Sequence, residues 1–306
     1  MDGAHKTVLL EEAVSAVMRA PDGVYFDGTF GRGGHCRHLL SRLSLSGRVI
    51  AVDKDPEAER AASILAAEDS RFEFRAGSFT RLLDAEVPDA SLDGVLLDLG
   101  VSSPQLDQRD RGFSFQHDGP LDMRMDTRSG LTAGQWVQTA RQEEMAEIFK
   151  RYGEERFARR IAAAIAARRA EKPFTRTADL AKVIAEAHPR WEQHKHPATR
   201  VFQAIRIHIN GELEELQQLL DGVIEKLAPG GRLVVISFHS LEDRCVKQFM
   251  RRGARGVDVP RDIPLRGGKL GQTLRLLGKA VRPSDAEVQA NPRARSAIMR
   301  VAERLS

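Results

Sequence analysis

Three aspartates stand out by where they fall. Asp27, Asp53 and Asp98 close the apolar runs "VYFD", "VIAVD" and "GVLLD", and glycine, serine or proline follows each within a few residues. The stretch after Asp27 reads "GTFGRGGH"; Gly31, Gly33 and Gly34 there let the backbone approach a ligand without Cβ interference. Asp53 lies 26 residues beyond Asp27, and a carboxylate at that place can take both hydroxyls of a ribose. After Asp98 comes "LGVSSPQLD", which presents Ser102, Ser103 and Pro104 in a rigid turn.

The ligand suggested is an adenosine-containing cofactor. A dinucleotide fingerprint asks for G-x-G-x-x-G, but Cys36 stands at the third glycine position. An acid ending the first strand would also repel a pyrophosphate, whereas Asp27 suits a cation. S-adenosyl-L-methionine carries a sulfonium, an ammonium and free ribose hydroxyls, and fits these residues better. Phe79, in "GSF" after the third apolar run, can lie against an adenine face, although burial in the core is the simpler account. Asp98 can hold the polar end of the cofactor. The Ser-Ser-Pro turn offers hydroxyls and carbonyls that could accept hydrogens from an exocyclic base amine. Such acceptors free the nitrogen lone pair for attack on a methyl group, through positioning and preorganised electrostatics.

These residues need a frame that brings strand ends together. Five apolar runs, at 23–30, 47–55, 72–79, 92–100 and 231–240, read as strands covered on both faces. Helical patterns separate the early ones, so the series is βαβ and the sheet parallel. Ligands of such sheets sit beyond the carboxyl ends of the strands. Before the fifth run, Leu213, Leu216, Leu220, Ile224 and Leu227 form one helical stripe, which Pro229-Gly230-Gly231 is expected to end. About 130 residues separate the fourth and fifth strands, more than a crossover needs. The expected organisation is therefore an α/β domain made of 1–107 and 208–306, with a helical substrate-recognition domain at 108–207 inserted between them and a cleft where the two cores meet. A basic helix is expected around 150–172 and a mobile Gly- and Arg-rich loop at 251–271.

Composition fits a globular enzyme. The chain has 306 residues, 42% of them hydrophobic, and a net charge of +4. Residues 244–306 carry 15 Lys and Arg against 5 Asp and Glu, which points to a polyanionic partner or to a solvated basic end. Two cysteines make no disulfide framework. Glu11 and Glu12 interrupt the apolar core that a signal peptide would need, and no run is long enough for a membrane span. A cytoplasmic protein with no membrane partner is expected. His188, His194 and His196 have no carboxylate or cysteine completing a ligand set, so no metal is expected. His239 could border a base pocket, but a structural hydrogen bond is the plainer reading.

Seven long motifs carry a family resemblance nearly end to end. They are "HKTVLLEEAV" (5–14), "DGTFGRGGH" (27–35), "LLDLGVSSPQLD" (96–107), "RGFSFQHDGPLDMRMD" (111–126), "HPATRVFQAIRIHINGELEEL" (196–216), "PGGRLVVISFHSLEDR" (229–244) and "NPRARSAIMR" (291–300). The chain resembles the bacterial cytosine-N4 methyltransferases of small-subunit ribosomal RNA. That resemblance implies a class I, Rossmann-like methyltransferase sheet with an inserted helical domain. It implies S-adenosyl-L-methionine as cofactor and a decoding-centre cytosine of 16S rRNA, in the small ribosomal subunit, as target. It implies cofactor contacts at Gly33, Gly34, His35, Asp53, Phe79, Asp98 and Gln105. The residues expected to carry catalysis are Asp98, Ser102, Ser103 and Pro104. The turn is similar to the S-P-P-Y of amino-methyltransferases, with Gln105 and Leu106 in place of the second proline and the aromatic. Cys36 stands where the family usually has serine. A homodimer is compatible with the sequence. Two rival readings are a DNA amino-methyltransferase and a ribosome-assembly factor that binds without catalysis.

Overall fold

The computed structural model describes residues 7–191, 196–256 and 271–306. The chain divides into two compact units, one made of 1–100 and 213–306, the other of 101–212.

The first unit is an α/β sheet. Its strands are β1 (Val24–Asp27), β2 (Arg48–Asp53), β3 (Phe72–Ala76), β4 (Leu92–Asp98), β5 (Leu227–Ser237), β6 (Leu274–Leu276) and β7 (Ile298–Arg304). They lie in the order β3-β2-β1-β4-β5-β7-β6. The first five are parallel, and β7 runs antiparallel to β5 and β6. This is a Rossmann-like, doubly wound α/β sheet, the fold class expected from the sequence. The order turns back between β1 and β4, whose register pairs Asp27 with Leu96. That switch point places the ends of β1 and β4 side by side.

The near-continuous apolar runs are explained by two cores, one on each face. Tyr25, Val49, Ala51, Leu96, Val234 and Ile236 face one core; their neighbours Phe26, Val52, Val95, Leu97, Leu233 and Val235 face the other. Helices α1 (Leu10–Val17), α2 (Gly34–Leu40) and α3 (Pro56–Glu68) supply buried residues to the first core. The α3 start is legible in "DPEAER": Pro56 opens the helix and the Asp55 carboxylate accepts from Glu57 N–H at 2.9 Å.

The second unit holds α4 (Ser103–Asp107), α5 (Ala133–Thr139), α6 (Gln142–Gly153), α7 (Ala158–Glu171), α8 (Thr177–Ala187) and α9 (Ala198–Asn210). In place of one basic helix over 150–172 there are two. The chain breaks at Glu154, whose φ is 50°. Gly153 lies so close to α9 that a Cβ there would be 2.6 Å from the Arg200 carbonyl oxygen, so this turn is shaped by packing. The arginines Arg156, Arg159 and Arg160 nevertheless stay exposed.

Helix α10 (Glu212–Lys226) ends earlier than the Pro-Gly-Gly signal, and β5 begins directly at Leu227. Residues 228–231 fall in a register shift between the Leu92–Leu227 and Gly94–Arg232 pairs, so Pro229-Gly230-Gly231 shapes a bulge within the strand. Helix α11 (Ser240–Arg255) takes in 251–255 of the expected loop, and 257–270 lie outside the described residues. The short α12 (Asp285–Ala290) precedes β7. Among the described residues no helix is long and apolar enough to cross a membrane.

Candidate active site

Asp27, at the end of β1, is 2% exposed. Three hydrogen bonds engage both of its oxygens. Oδ1 accepts from the Thr29 N–H at 3.0 Å and the Thr29 hydroxyl at 3.4 Å; Oδ2 accepts from the Cys36 thiol at 3.0 Å. Burial, with Asp27 beside it, pushes the Cys36 thiol well above the usual range, so it stays a neutral donor. Asp27 is thereby anchored to the glycine loop and to α2 at the end of β1.

Asp98, at the end of β4, is less fully engaged. Its Oδ1 is buried and accepts no hydrogen bond from the described residues. Burial raises its carboxyl well above the carboxylate range, and the neighbouring Asp27 and Glu242 carboxylates add to the shift. A bare acceptor ringed by like charge is stabilised by a cation. His35, 4% exposed, sits on the same side. Its Nε2 lies 3.2 Å from the Val8 carbonyl oxygen, which only accepts, so the ring carries hydrogen there. Its Nδ1 faces Asp98 Oδ2 at 3.8 Å.

Asp53, at the end of β2, organises the glycine loop. It accepts from Gly31 N–H at 2.8 Å and from Asp55 N–H at 2.9 Å. Burial pushes its carboxyl up to about 6, against the pull of these two donors. The glycine loop itself is shaped by close approach. Gly33 has φ 78° and is the N-cap that precedes α2. Gly34 must lack a Cβ, which would fall 1.9 Å from the Thr7 hydroxyl. Phe79 opens a short 3₁₀ turn (Phe79–Leu83) after β3 and is 9% exposed, within the second core.

The second unit carries the serine turn. Ser102 caps α4: its hydroxyl accepts from Gln105 N–H at 3.4 Å, and the Gln105 Oε1 accepts from Ser102 N–H at 2.9 Å. This reciprocal cap gives Gln105, 6% exposed, a local role. Pro104 lies in the first turn, where its missing N–H costs nothing. Elsewhere in this unit Asp122 pairs with Arg124 at 2.8 Å and Asp126 with Arg128 at 2.8 Å. Asn210 accepts from Met125 N–H at 2.7 Å and donates to the Met123 carbonyl at 2.8 Å. These groups brace the "DMRMD" loop.

Two functional-looking residues escaped sequence reading. Thr29 accepts from Asp98 N–H at 2.6 Å and so links two strand ends. Glu242, 2% exposed, accepts from Phe238 N–H at 2.8 Å and adds charge near Asp98. The spacing His239-x-x-Glu242 is that of a capping box, which could have revealed it. His239 caps α11 in the same motif, the structural role expected for it.

The model of the MraW methylase family matches residues 2–305. The chain belongs to this family. Ribosomal RNA small subunit methyltransferase H of Chromohalobacter salexigens is 58% identical over 309 residues, spanning 99% of this chain and 92% of that protein. The enzyme of the same name from Thioalkalivibrio sulfidiphilus is 58% identical, over 99% of this chain and 98% of that one. A solved structure of a putative rRNA-methylase from Clostridium thermocellum covers 98% of each chain at TM-score 0.45 and 13% identity.

Proposed function

We propose that the chain transfers a methyl group from S-adenosyl-L-methionine to N4 of a cytosine in the decoding centre of 16S rRNA, in the cytoplasm. The observation that carries this reading is the buried Asp98 Oδ1, without a partner among the described residues, at the switch point of a methylase-family sheet. The relatives named as small-subunit ribosomal RNA methyltransferases supply the substrate class. When bound, S-adenosyl-L-methionine supplies a methyl group made electrophilic by the sulfonium. Asp98 neutralises the cationic end of the ligand, and Asp53 accepts from the ribose hydroxyls. Gly33, Gly34 and His35 shape the cofactor loop, Phe79 lies against the adenine face, and Gln105 contacts the cofactor. Ser102, Ser103 and Pro104 present acceptors to the cytosine amine. Once the nitrogen is methylated its proton is acidic, so no strong base is required. The exposed Arg159 and Arg160 of α7 suit phosphate contacts. Irregular RNA favours this chemistry, because a base can leave its stack there at low cost.

The test is transfer of labelled methyl groups to small ribosomal subunits, naked 16S rRNA and duplex DNA, with the product nucleoside identified. N4-methylcytosine in rRNA is expected. Labelled DNA alone would make this a DNA enzyme, and cofactor binding with no transfer to any substrate would make it a binding factor.

The turn after Asp98 has its own expected result. Pro104→Gly should lower the single-turnover rate about tenfold, ~1.4 kcal/mol of transition-state stabilisation, with little change in cofactor affinity. Ser103→Ala should do less, since backbone carbonyls can serve as acceptors. A normal Pro104→Gly rate at saturating cofactor and RNA would place the amine elsewhere.

A further inference from the structure

The β1–β4 ladder runs out just where the chemistry begins. Gly28 N–H still donates to the Leu96 carbonyl at 2.9 Å. The next donor on β4, the Asp98 N–H, would require a β1 carbonyl in line. The chain has by then turned into the glycine loop. The Thr29 hydroxyl takes the carbonyl's place, accepting from Asp98 N–H at 2.6 Å. Because this oxygen accepts from Asp98, its own hydrogen is free to turn to Asp27 Oδ1, 3.4 Å away. Thr29 N–H reaches the same oxygen at 3.0 Å, which fixes the residue from both ends. Asp27 is held in turn by the Cys36 thiol. The chain of contacts runs Cys36, Asp27, Thr29, Asp98, and it ends on a carboxylate oxygen with no partner among the described residues.

We propose that Thr29 is a positioning residue for methyl transfer, whose hydroxyl bridges Asp27 and the Asp98 backbone and holds Asp98 where it receives the cationic end of the cofactor. The proposal rests on the reading of Asp98 as the cofactor's carboxylate partner. A positioned acceptor binds more tightly than a mobile one because its ordering cost is met during folding. Three acidic groups crowd this place: Asp27 from β1, Asp98 from β4 and Glu242 from α11. Their mutual repulsion pushes the end of β4 away from β1, and the tie on the Asp98 backbone holds that strand end in place. A hydroxyl can provide the tie without adding charge.

The test compares Thr29→Val, which keeps the branched shape and removes the hydroxyl, with Thr29→Ser, which keeps the hydroxyl. Titration calorimetry with S-adenosylmethionine is the readout, with a thermal melt of each variant. Thr29→Val should weaken binding about tenfold, the loss of one hydrogen bond that orients a charged group. Thr29→Ser should bind within about twofold of wild type, since the same donor and acceptor remain. In an Asp98→Asn background Thr29→Val should lose most of its effect, because the two residues act as one unit. Wild-type affinity in Thr29→Val, an equal loss in Thr29→Ser, or full additivity with Asp98→Asn would each overturn the proposal. So would failure of Thr29→Val to fold, since the hydroxyl would then serve stability. A wild-type protein that binds no S-adenosylmethionine would instead defeat the cofactor reading itself.

Discussion

Asp98→Asn is expected to bind S-adenosylmethionine about 100-fold more weakly than wild type, and to melt at a higher temperature in its absence. Both effects come from one charge. Asp98 Oδ1 is buried without a partner among the described residues, and its carboxyl is raised by burial, by Asp27 and by Glu242. A group whose folded pKa lies above its unfolded value contributes stability below the unfolded value, and that contribution is lost as pH rises through the folded one. The neutral asparagine escapes this loss, so the free variant should be the more stable protein at neutral pH. The cofactor reverses the sign. Its cation pairs with the carboxylate, and truncating one partner of a buried charge pair costs roughly 2–5 kcal/mol. Calorimetry and a melt of the same two proteins decide the matter. Equal affinities would remove Asp98 from the cofactor site, and a lower melting temperature would mean that the charge is compensated in the free protein. Opposite signs in the two measurements are the mark of a site that gives up stability for function.

Much of the sheet could be read from the chain, because parallel strands buried on both faces leave nearly unbroken apolar runs. The runs read at 23–30, 47–55, 72–79 and 92–100 contain β1 to β4. The strands that went unread, β6 and β7, give no such signal. β6 is three residues long, and β7 reads "IMRVAER", with only Met299 and Ala302 buried. Helix ends were set by contacts between distant residues, as at Gly153 against Arg200, and no local pattern encodes those. The candidate site was legible as a set of acids on strand ends, but not in its division of labour. Sequence alone gives Asp27 and Asp98 the same standing. Thr29 and Cys36 engage both oxygens of Asp27, while Asp98 keeps one oxygen without a partner among the described residues, and that difference exists only once the loop has folded. The Ser102-x-x-Gln105 cap, by contrast, follows a spacing that sequence could have shown.

Asp53 should make cofactor binding depend on pH, with affinity rising through about pH 6. The sign follows from what the carboxyl does in each form. As a carboxylate it accepts from Gly31 N–H and Asp55 N–H, and retains lone pairs for ribose hydroxyls. Protonated, it surrenders acceptor capacity and must place a hydrogen among donors. Its folded value is raised from 3.8 to about 6, chiefly by burial, so this change falls in an accessible range. The free protein should respond in the opposite sense: Asp53 contributes stability below about pH 4, and that contribution is lost as pH rises through about 6. Ligand binding therefore strengthens over the interval in which the free fold weakens. Asp53→Asn should remove the step near pH 6 from the affinity profile, because asparagine does not titrate. Asp53→Ala should bind more weakly by roughly 1.5–3 kcal/mol above the step, having lost hydrogen bonds to a charged acceptor. It also releases the Gly31 and Asp55 N–H groups, so the loop should loosen as well. Calorimetric titrations about one unit either side of that pH, on wild type and both variants, give the profile. An unchanged step in Asp53→Asn would assign the titration to another group, and full affinity in a folded Asp53→Ala would take the ribose away from β2.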